Sequence, residues 1–413
     1  AMRTGDHSHH VPASLREVKE AWNFAMKHIL PLITALLLAP LAALHAKDEI
    51  ANAPTTGDVR DVRVVRTADQ EPRASLLGQP SIALWKEKHL VVAYQKGIAG
   101  KTDMGSIDAI VSSNDGDSWS IPSTIFDHEQ RHGAMQFGYC NAVLYHPPGQ
   151  EVLWCFAMRC PLNYADSEDS HLAAAYSGDG GRSWNPLELA MHYTGALVIL
   201  GEIQRIIENG QPVYLLPAHR NTKRADPLGQ REQFVLRSTS LLDWSLGGYV
   251  PQPEPGKIFL HEGQIAVINE QQHLKMVMRT AEGRKEGGAL NPPRAWSSTS
   301  SDGGKTWSIA QEEPELWNTV SEGWFGQSST GTQLYVYNDG PAWSRMALRY
   351  KVKLASGAWS EERSFFDAGI HNSYPTLIET TAGEYRAVWD SGDQKRGRRS
   401  IRFGKFALNP RSK

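Results

Sequence analysis

Three octapeptides limit what this chain can fold into more than any other feature. Residues 112–119 read SSNDGDSW, 177–184 read SGDGGRSW and 300–307 read SSDGGKTW. Each spells one kind of turn. An Asp or Asn side chain bonds back to the amides that follow, glycines accept positive φ, and a tryptophan serves as apolar anchor. Weaker versions, RSTSLLDWS and VKLASGAWS, carry Trp244 and Trp359. The tryptophans at 119, 184, 244, 307 and 359 are spaced by 65, 60, 63 and 52 residues. Such an interval holds four strands of about 5–6 residues with their loops.

Alternation is visible between the boxes, in HLVVAYQ, EVLWCFAM, PVYLLPAH, HLKMVMRT, QLYVYND and EYRAVWD. No long helical periodicity appears after residue 50; the one helical-looking stretch, ASLREVKEAWNFAMKH, precedes it. Four strands per repeat predict an all-β chain, a six-bladed β-propeller of four-stranded antiparallel blades, over residues 55–410. Five blades carry boxes. SYPTLIET, EYRAVWDS and SIRFGKFAL would form the sixth, closed by VRDVRVVRT near residue 60. A blade hidden in 120–180 would make seven.

The 413 residues carry a formal net charge of -2, which speaks against a phosphate-neutralising nucleic-acid binder. Residues 26–46 have the form of a secretory signal peptide: Lys27 and His28, an apolar stretch, then small residues. Cleavage is expected after Ala46, with Leu44 at the −3 position. The product would be secreted or periplasmic, without stable membrane insertion, and residues 1–25 would be an upstream extension. Three cysteines leave one unpaired in an exported chain. Cys140 and Cys155 flank the turn HPPGQ and face each other in one register but not the next; Cys160 is the other candidate. No residues stand at metal-ligand spacing, and no cofactor is expected.

The boxes resemble the Asp-box (BNR) repeats of sialidases, also called neuraminidases. That resemblance implies a six-bladed propeller with the boxes on its outer rim, and by itself implies no activity. The family's pocket residues have counterparts in order. Asp103 in GKTDMGS stands for the acid/base aspartate, with Asp108 as a rival. Glu262 and Arg279 in HEGQIAVINEQQHLKMVMRT stand for the glutamate and second arginine. Arg345 in SRMALRYKV is the third arginine, with Arg349 competing, and Tyr374 in HNSYPTLIET is the nucleophile. The first arginine is absent: Gln79 occupies its place in GQPSIALW, and Arg73 is a possible substitute.

The resemblance implies that Glu262 takes the phenolic proton of Tyr374 and Asp103 serves the leaving oxygen and then water. Arg279 and Arg345 would hold the carboxylate of a glycan or oligosaccharide substrate. Gln79, Glu202, Asn141 and His371 are further candidate substrate contacts, with His132 opening the second blade. Two other functions fit the same fold. One is hydrolysis or β-elimination on another uronate or neutral sugar, with Tyr374 paired to His371 or His132. The other is glycan binding without turnover. Oligomeric state is not written in the sequence.

Overall fold

The computed structural model describes residues 57–408 except 72–73, 99–103, 163–169, 193–195, 223–229, 254–257, 259, 281–293, 319–320, 339–344, 354–356 and 394–397. The signal-like segment, Arg73 and Asp103 therefore lie outside the described residues. Among those described, no helix is long and apolar enough to cross a membrane.

Strands dominate, and they are antiparallel meanders. The first meander runs Leu76–Lys86, His89–Gly97, Gly105–Ser112 and Ser123–Phe126; the second runs Met135–Tyr145, Leu153–Pro161, His171–Ser177 and Asn185–Leu187. A single pair, Gly105↔Tyr139, joins them into one sheet, with the short strand Arg131–His132 as its ninth. The third begins with a broken strand, Val198–Ile199 and Gln204–Glu208, followed by Gln211–Thr222, Gln230–Ser238 and Asp243–Tyr249. The fourth is Leu260–Val267, Leu274–Thr280, Arg294–Ser300 and Gln311–Trp317. The fifth is Trp324–Gln327, Gln333–Asn338, Ala347–Lys353 and Arg363–Asp367. The last sheet takes three strands from the C-terminal region, His371–Thr381, Glu384–Asp393 and Arg398–Ala407. Its fourth, Arg60–Arg66, comes from the start of the fold and pairs with Arg398–Ala407.

The first strands of consecutive meanders touch in sequence, and the first strand of the last touches Leu76–Lys86. That cycle makes a β-propeller. Its core is divided accordingly. Six apolar clusters each mix side chains of two neighbouring meanders, as where Leu90, Val92 and Ile110 meet Val388, Ile401 and Phe403. Neither face of a blade is apolar enough to stand in water alone, so each is stabilised by the next.

The boxes form as their letters require. In SSDGGKTW, Asp302 Oδ1 accepts the amides of Lys305 and Thr306 at 3.1 and 2.9 Å, and the Ser300 hydroxyl accepts the Gly304 amide at 2.9 Å. Gly303 and Gly304 have φ of 72° and 79°. SGDGGRSW repeats the pattern through Asp179. In RSTSLLDWS the Asp is lost but Ser238 still accepts the Leu241 amide and the Trp244 indole donates to Leu241 O at 3.0 Å. The boxes also bind across meanders: Arg386 grips Asp115 through two bonds of 2.6 and 2.8 Å.

The cysteine expectation is corrected. All three are free and buried. Cys155 pairs with Leu144 rather than Cys140 and sits in the cluster between the first two meanders. Cys140 pairs with Met158 and packs with Cys160 on another face. The register alone keeps the two apart along the hairpin, and an extra residue in the strand, described next, turns Cys140 to the other face.

Candidate active site

Four innermost strands carry the same defect at the same level. In each, two consecutive residues oppose one residue of the second strand. Gln79 and Pro80 fall between the pairs Gly78↔Gln95 and Ser81↔Ala93. Asn141 and Ala142 fall between Cys140↔Met158 and Val143↔Phe156. Glu262 and Gly263 fall between His261↔Arg279 and Gln264↔Val277. Tyr374 and Pro375 fall between Ser373↔Asp390 and Thr376↔Val388. These are β-bulges, which re-aim a side chain that strand alternation would point elsewhere.

The first residue of each bulge has positive φ: 48° at Gln79, 57° at Asn141, 49° at Glu262 and 51° at Tyr374. For residues with a Cβ this costs about 1–3 kcal/mol each and persists only where the surroundings impose it. Four of the residues singled out in the sequence thus occupy equivalent positions. Glu202 belongs to the same level, in the gap between Ile199↔Ala218 and Gln204↔Leu215.

Glu262, Arg279, Arg345 and Tyr374 come together. Arg279 ends the second strand of the fourth meander, and its Nη1 donates to Glu262 Oε2 at 2.6 Å. The same guanidinium bonds the Tyr374 hydroxyl. Arg345, on the loop before Ala347–Lys353, places its guanidinium carbon 5.1 Å from the centre of the Tyr374 ring. Burial would lower the Arg279 pKa, but the neighbouring Glu262 and Tyr374 raise it further, so its charge is secure. Arg349 instead lies 3.7 Å from Asp367 on the outer strand, away from this group. Asp108 is on a third strand, buried and paired to Lys96 at 2.7 Å.

Around this core lie polar groups the sequence did not flag. The Glu262 amide points to His219 Nδ1 at 3.4 Å, and the His219 ring meets His261 edge-on. Gln264 accepts the Glu202 amide at 3.1 Å and donates to Glu322 at 2.8 Å. Glu322 precedes the inner strand of the fifth meander, so it continues the ring of Glu202 and Glu262. Burial, then the Glu262 charge, holds the Glu322 carboxyl well above the usual range. Burial alone pushes Glu202 up to about 8. At pH 7 Glu202 is thereby mostly a neutral acid, able to donate to a ligand hydroxyl.

His371 is buried and bonds the Ser373 hydroxyl at 2.7 Å. Ser373 in turn bonds Asp390, which is fully buried and also faces His371 at 3.4 Å and Arg399 at 3.0 Å. Gln79 and Asn141 each keep a buried side-chain oxygen with no hydrogen-bond partner among the described residues, acceptors suited to a ligand's hydroxyl or amide. His132 falls on the short strand Arg131–His132. No group of three or more His, Cys, Asp or Glu among the described residues is arranged to hold a metal.

Glu202 yields a stability test. Its folded-state pKa is raised, so an unfolded chain ionises first as pH rises. Its contribution is full below about 4.3, the usual Glu value, and declines up to about 8. Glu202→Gln is expected to remove that decline. Denaturant midpoints of the two proteins should converge in acid, and the variant should be the more stable near pH 8. Parallel profiles would show that Glu202 ionises normally.

The comparisons with known proteins agree with this architecture. Residues 68–386 match the family model described as a BNR repeat-like domain. Among solved structures, the chain is similar to the NanB sialidase from Streptococcus pneumoniae. That match has 10% identity and a TM-score of 0.65, covering 84% of this chain and 70% of that one. It is similar to the intramolecular trans-sialidase from Ruminococcus gnavus at 14% identity and TM-score 0.62, covering 84% and 97%. A protein of unknown function from Dyadobacter fermentans matches at 15% identity and TM-score 0.60, covering 84% and 99%. No curated protein matches the sequence.

Proposed function

The chain belongs to the family of BNR repeat-like domains, and from that premise we propose that it is a sialidase-type glycoside hydrolase. It acts outside the cytoplasm and releases terminal sialic acid, or a related acidic sugar, from glycans. The observation that carries this reading is the contact set of Arg279. One guanidinium touches both the carboxylate of Glu262 and the phenol of Tyr374, with Arg345 over the same ring.

The chemistry follows from charge. The anomeric carbon of a sialoside bears a carboxylate, so an anionic nucleophile would be repelled; a neutral tyrosine is not. Its ordinary pKa of about 10 leaves it a weak nucleophile until a base removes the proton. Glu262 is the base, Tyr374 attacks, and the bond to the leaving oxygen breaks as Asp103 protonates it. Asp103 then activates water, which displaces the phenolate with net retention. Arg279 and Arg345 hold the carboxylate, while Glu202 and Glu322 face the sugar's hydroxyls. A pocket that only binds has no need of a matched nucleophile, base and acid.

The test is incubation of the purified protein with α-sialosides of each common linkage, following the sugar by proton NMR. Free sialic acid should appear first as the α anomer. Absence of release from every linkage rejects the reading, and an unsaturated, ultraviolet-absorbing product would assign elimination instead.

A further inference from the structure

We propose that Glu322 decides whether the pocket accepts an anionic sugar: protonated, it admits the substrate carboxylate beside Arg279; ionised, it excludes it. This rests on the acidic-sugar reading above. One side chain ties the Glu322 carboxyl to the catalytic group. Gln264 lies two residues after Glu262, on the far side of the same bulge. Its Oε1 accepts the Glu202 amide at 3.1 Å, and that amide can only donate. The orientation of the Gln264 side chain is thereby fixed, and its Nε2 donates to Glu322 Oε1 at 2.8 Å. Gln264 and Glu322 are 2% and 5% exposed, so the bridge joining the third, fourth and fifth meanders is sealed from bulk water. The chain around Glu322 is held as well. Ser321 bonds Asn338, whose Nδ2 donates to Asn372 O at 2.7 Å and to Ala347 O at 3.2 Å. On the other side, a Cβ at Gly323 would come 2.6 Å from the Tyr335 hydroxyl, so the backbone there rests against that ring. A carboxyl seated this way has little freedom to turn towards water when it ionises.

The groups acting on Glu322 come from the elements packed against it. Burial opposes its ionisation most, then Glu262 on the inner strand of the fourth meander. Glu202, from the third, adds to this, while the Gln264 bond and the Arg279 charge work the other way. Tyr335, on the second strand of the fifth meander, is a further titratable neighbour. Glu202 differs from Glu322 in that burial, rather than a neighbouring charge, moves it. Arg279 already serves Glu262 and Tyr374. A second carboxylate at Glu322 would draw on the same guanidinium and repel an incoming anion. Ionisation of Glu322 and binding of an anion therefore oppose each other, and by linkage each shifts the other. Because Glu322 keeps its proton beyond the ordinary Glu range of about 4.3, affinity for the acid is full at low pH. It falls by up to about tenfold per pH unit once Glu322 ionises.

The experiment titrates sialic acid and its uncharged methyl ester calorimetrically into wild type, Glu322→Gln, Gln264→Met and Glu202→Gln across pH. Two buffers of different ionisation heat report the protons exchanged, and hydrolysis of an α-sialoside is followed in parallel. Above the Glu322 midpoint, wild type should take up about one proton per acid bound and none per ester. Glu322→Gln has no proton to lose and should bind the acid with one affinity throughout. Gln264→Met removes a donor that favours the ionised form, so the fall in affinity should move to higher pH. In protein with carbon-13 in its glutamate carboxyls, the resonance missing from Glu322→Gln should titrate above the usual Glu range, and higher still with the acid bound. A loss of affinity with pH that is equal for acid and ester overturns the proposal. So does a loss that survives Glu322→Gln, or one removed by Glu202→Gln instead. Hydrolysis with either result sinks this inference alone. Acid-linked proton uptake without hydrolysis sinks only the enzymatic reading, and a wild type that binds no sialic acid sinks both.

Discussion

Tyr374→Phe is expected to abolish turnover of α-sialosides while leaving a folded protein that still binds sialic acid. Phenylalanine adopts the same backbone conformation, at φ of 51°, and presents the same ring to Arg345. What disappears is the oxygen that would form the bond to the anomeric carbon. Loss of a nucleophile of this kind lowers kcat by roughly 10³-fold or more. Stopped assays on the variant, with binding followed by titration, separate the two effects. A fall smaller than about tenfold in kcat would move the nucleophile to another group.

The second large effect concerns Asp390. Burial alone would raise its pKa, but Arg399, then His371 and Ser373, outweigh it and hold the carboxyl at about 2. Asp390→Asn keeps the shape and the acceptor for Ser373, but leaves the half-buried Arg399 beside a neutral group. Removing one partner of a buried ion pair costs about 3–5 kcal/mol, read as a lower denaturant midpoint at pH 7. The sign with pH is also set. A depressed pKa means stability that is fully present above about 3.9 and lost as pH falls towards about 2. Wild type should therefore lose its advantage over the variant across that acidic window. An advantage that persists below pH 2 would show that the pair contributes nothing through ionisation.

The fold was legible where burial acts on both faces of a strand. HLVVAYQ, PVYLLPAH and EYRAVWD fall within the second strand of their meanders, and EVLWCFAM, HLKMVMRT and QLYVYND enter theirs at Leu153, Leu274 and Gln333. Those strands are covered by a neighbouring blade on each side, so apolar residues accumulate without strict alternation. The boxes were legible because their chemistry is local: a side chain bonding amides three or four positions on needs no partner from elsewhere.

The site was legible in part, and only through order along the chain. Nothing in the letters of Gln79, Asn141, Glu262 or Tyr374 announces positive φ, since glycine is the usual residue there. The bulge is imposed by pairing with the second strand, a long-range fact. It also turned Cys140 to the face opposite Cys155. Asp390 ends the motif EYRAVWD and reads as a strand terminus, yet the strand continues to Asp393 and buries it. One signal was available: a carboxylate directly after a tryptophan inside an apolar strand requires a cationic partner. Arg399 lay hidden in QKRGRRS, which reads as a solvated basic turn. Glu322, in SEGW, reads as loop.

Pairing of Arg60–Arg66 with Arg398–Ala407 has a consequence for biogenesis. The earliest strand to leave the ribosome must wait, unsatisfied, until the final one arrives. Five modules can assemble in the order of their synthesis, whereas the seal between first and last is post-translational and pays for the longest excursion of the polymer. Until then an unzipped rim offers hydrogen-bonding edges to other molecules. Chaperones that keep such a chain open would therefore matter most for this one seam.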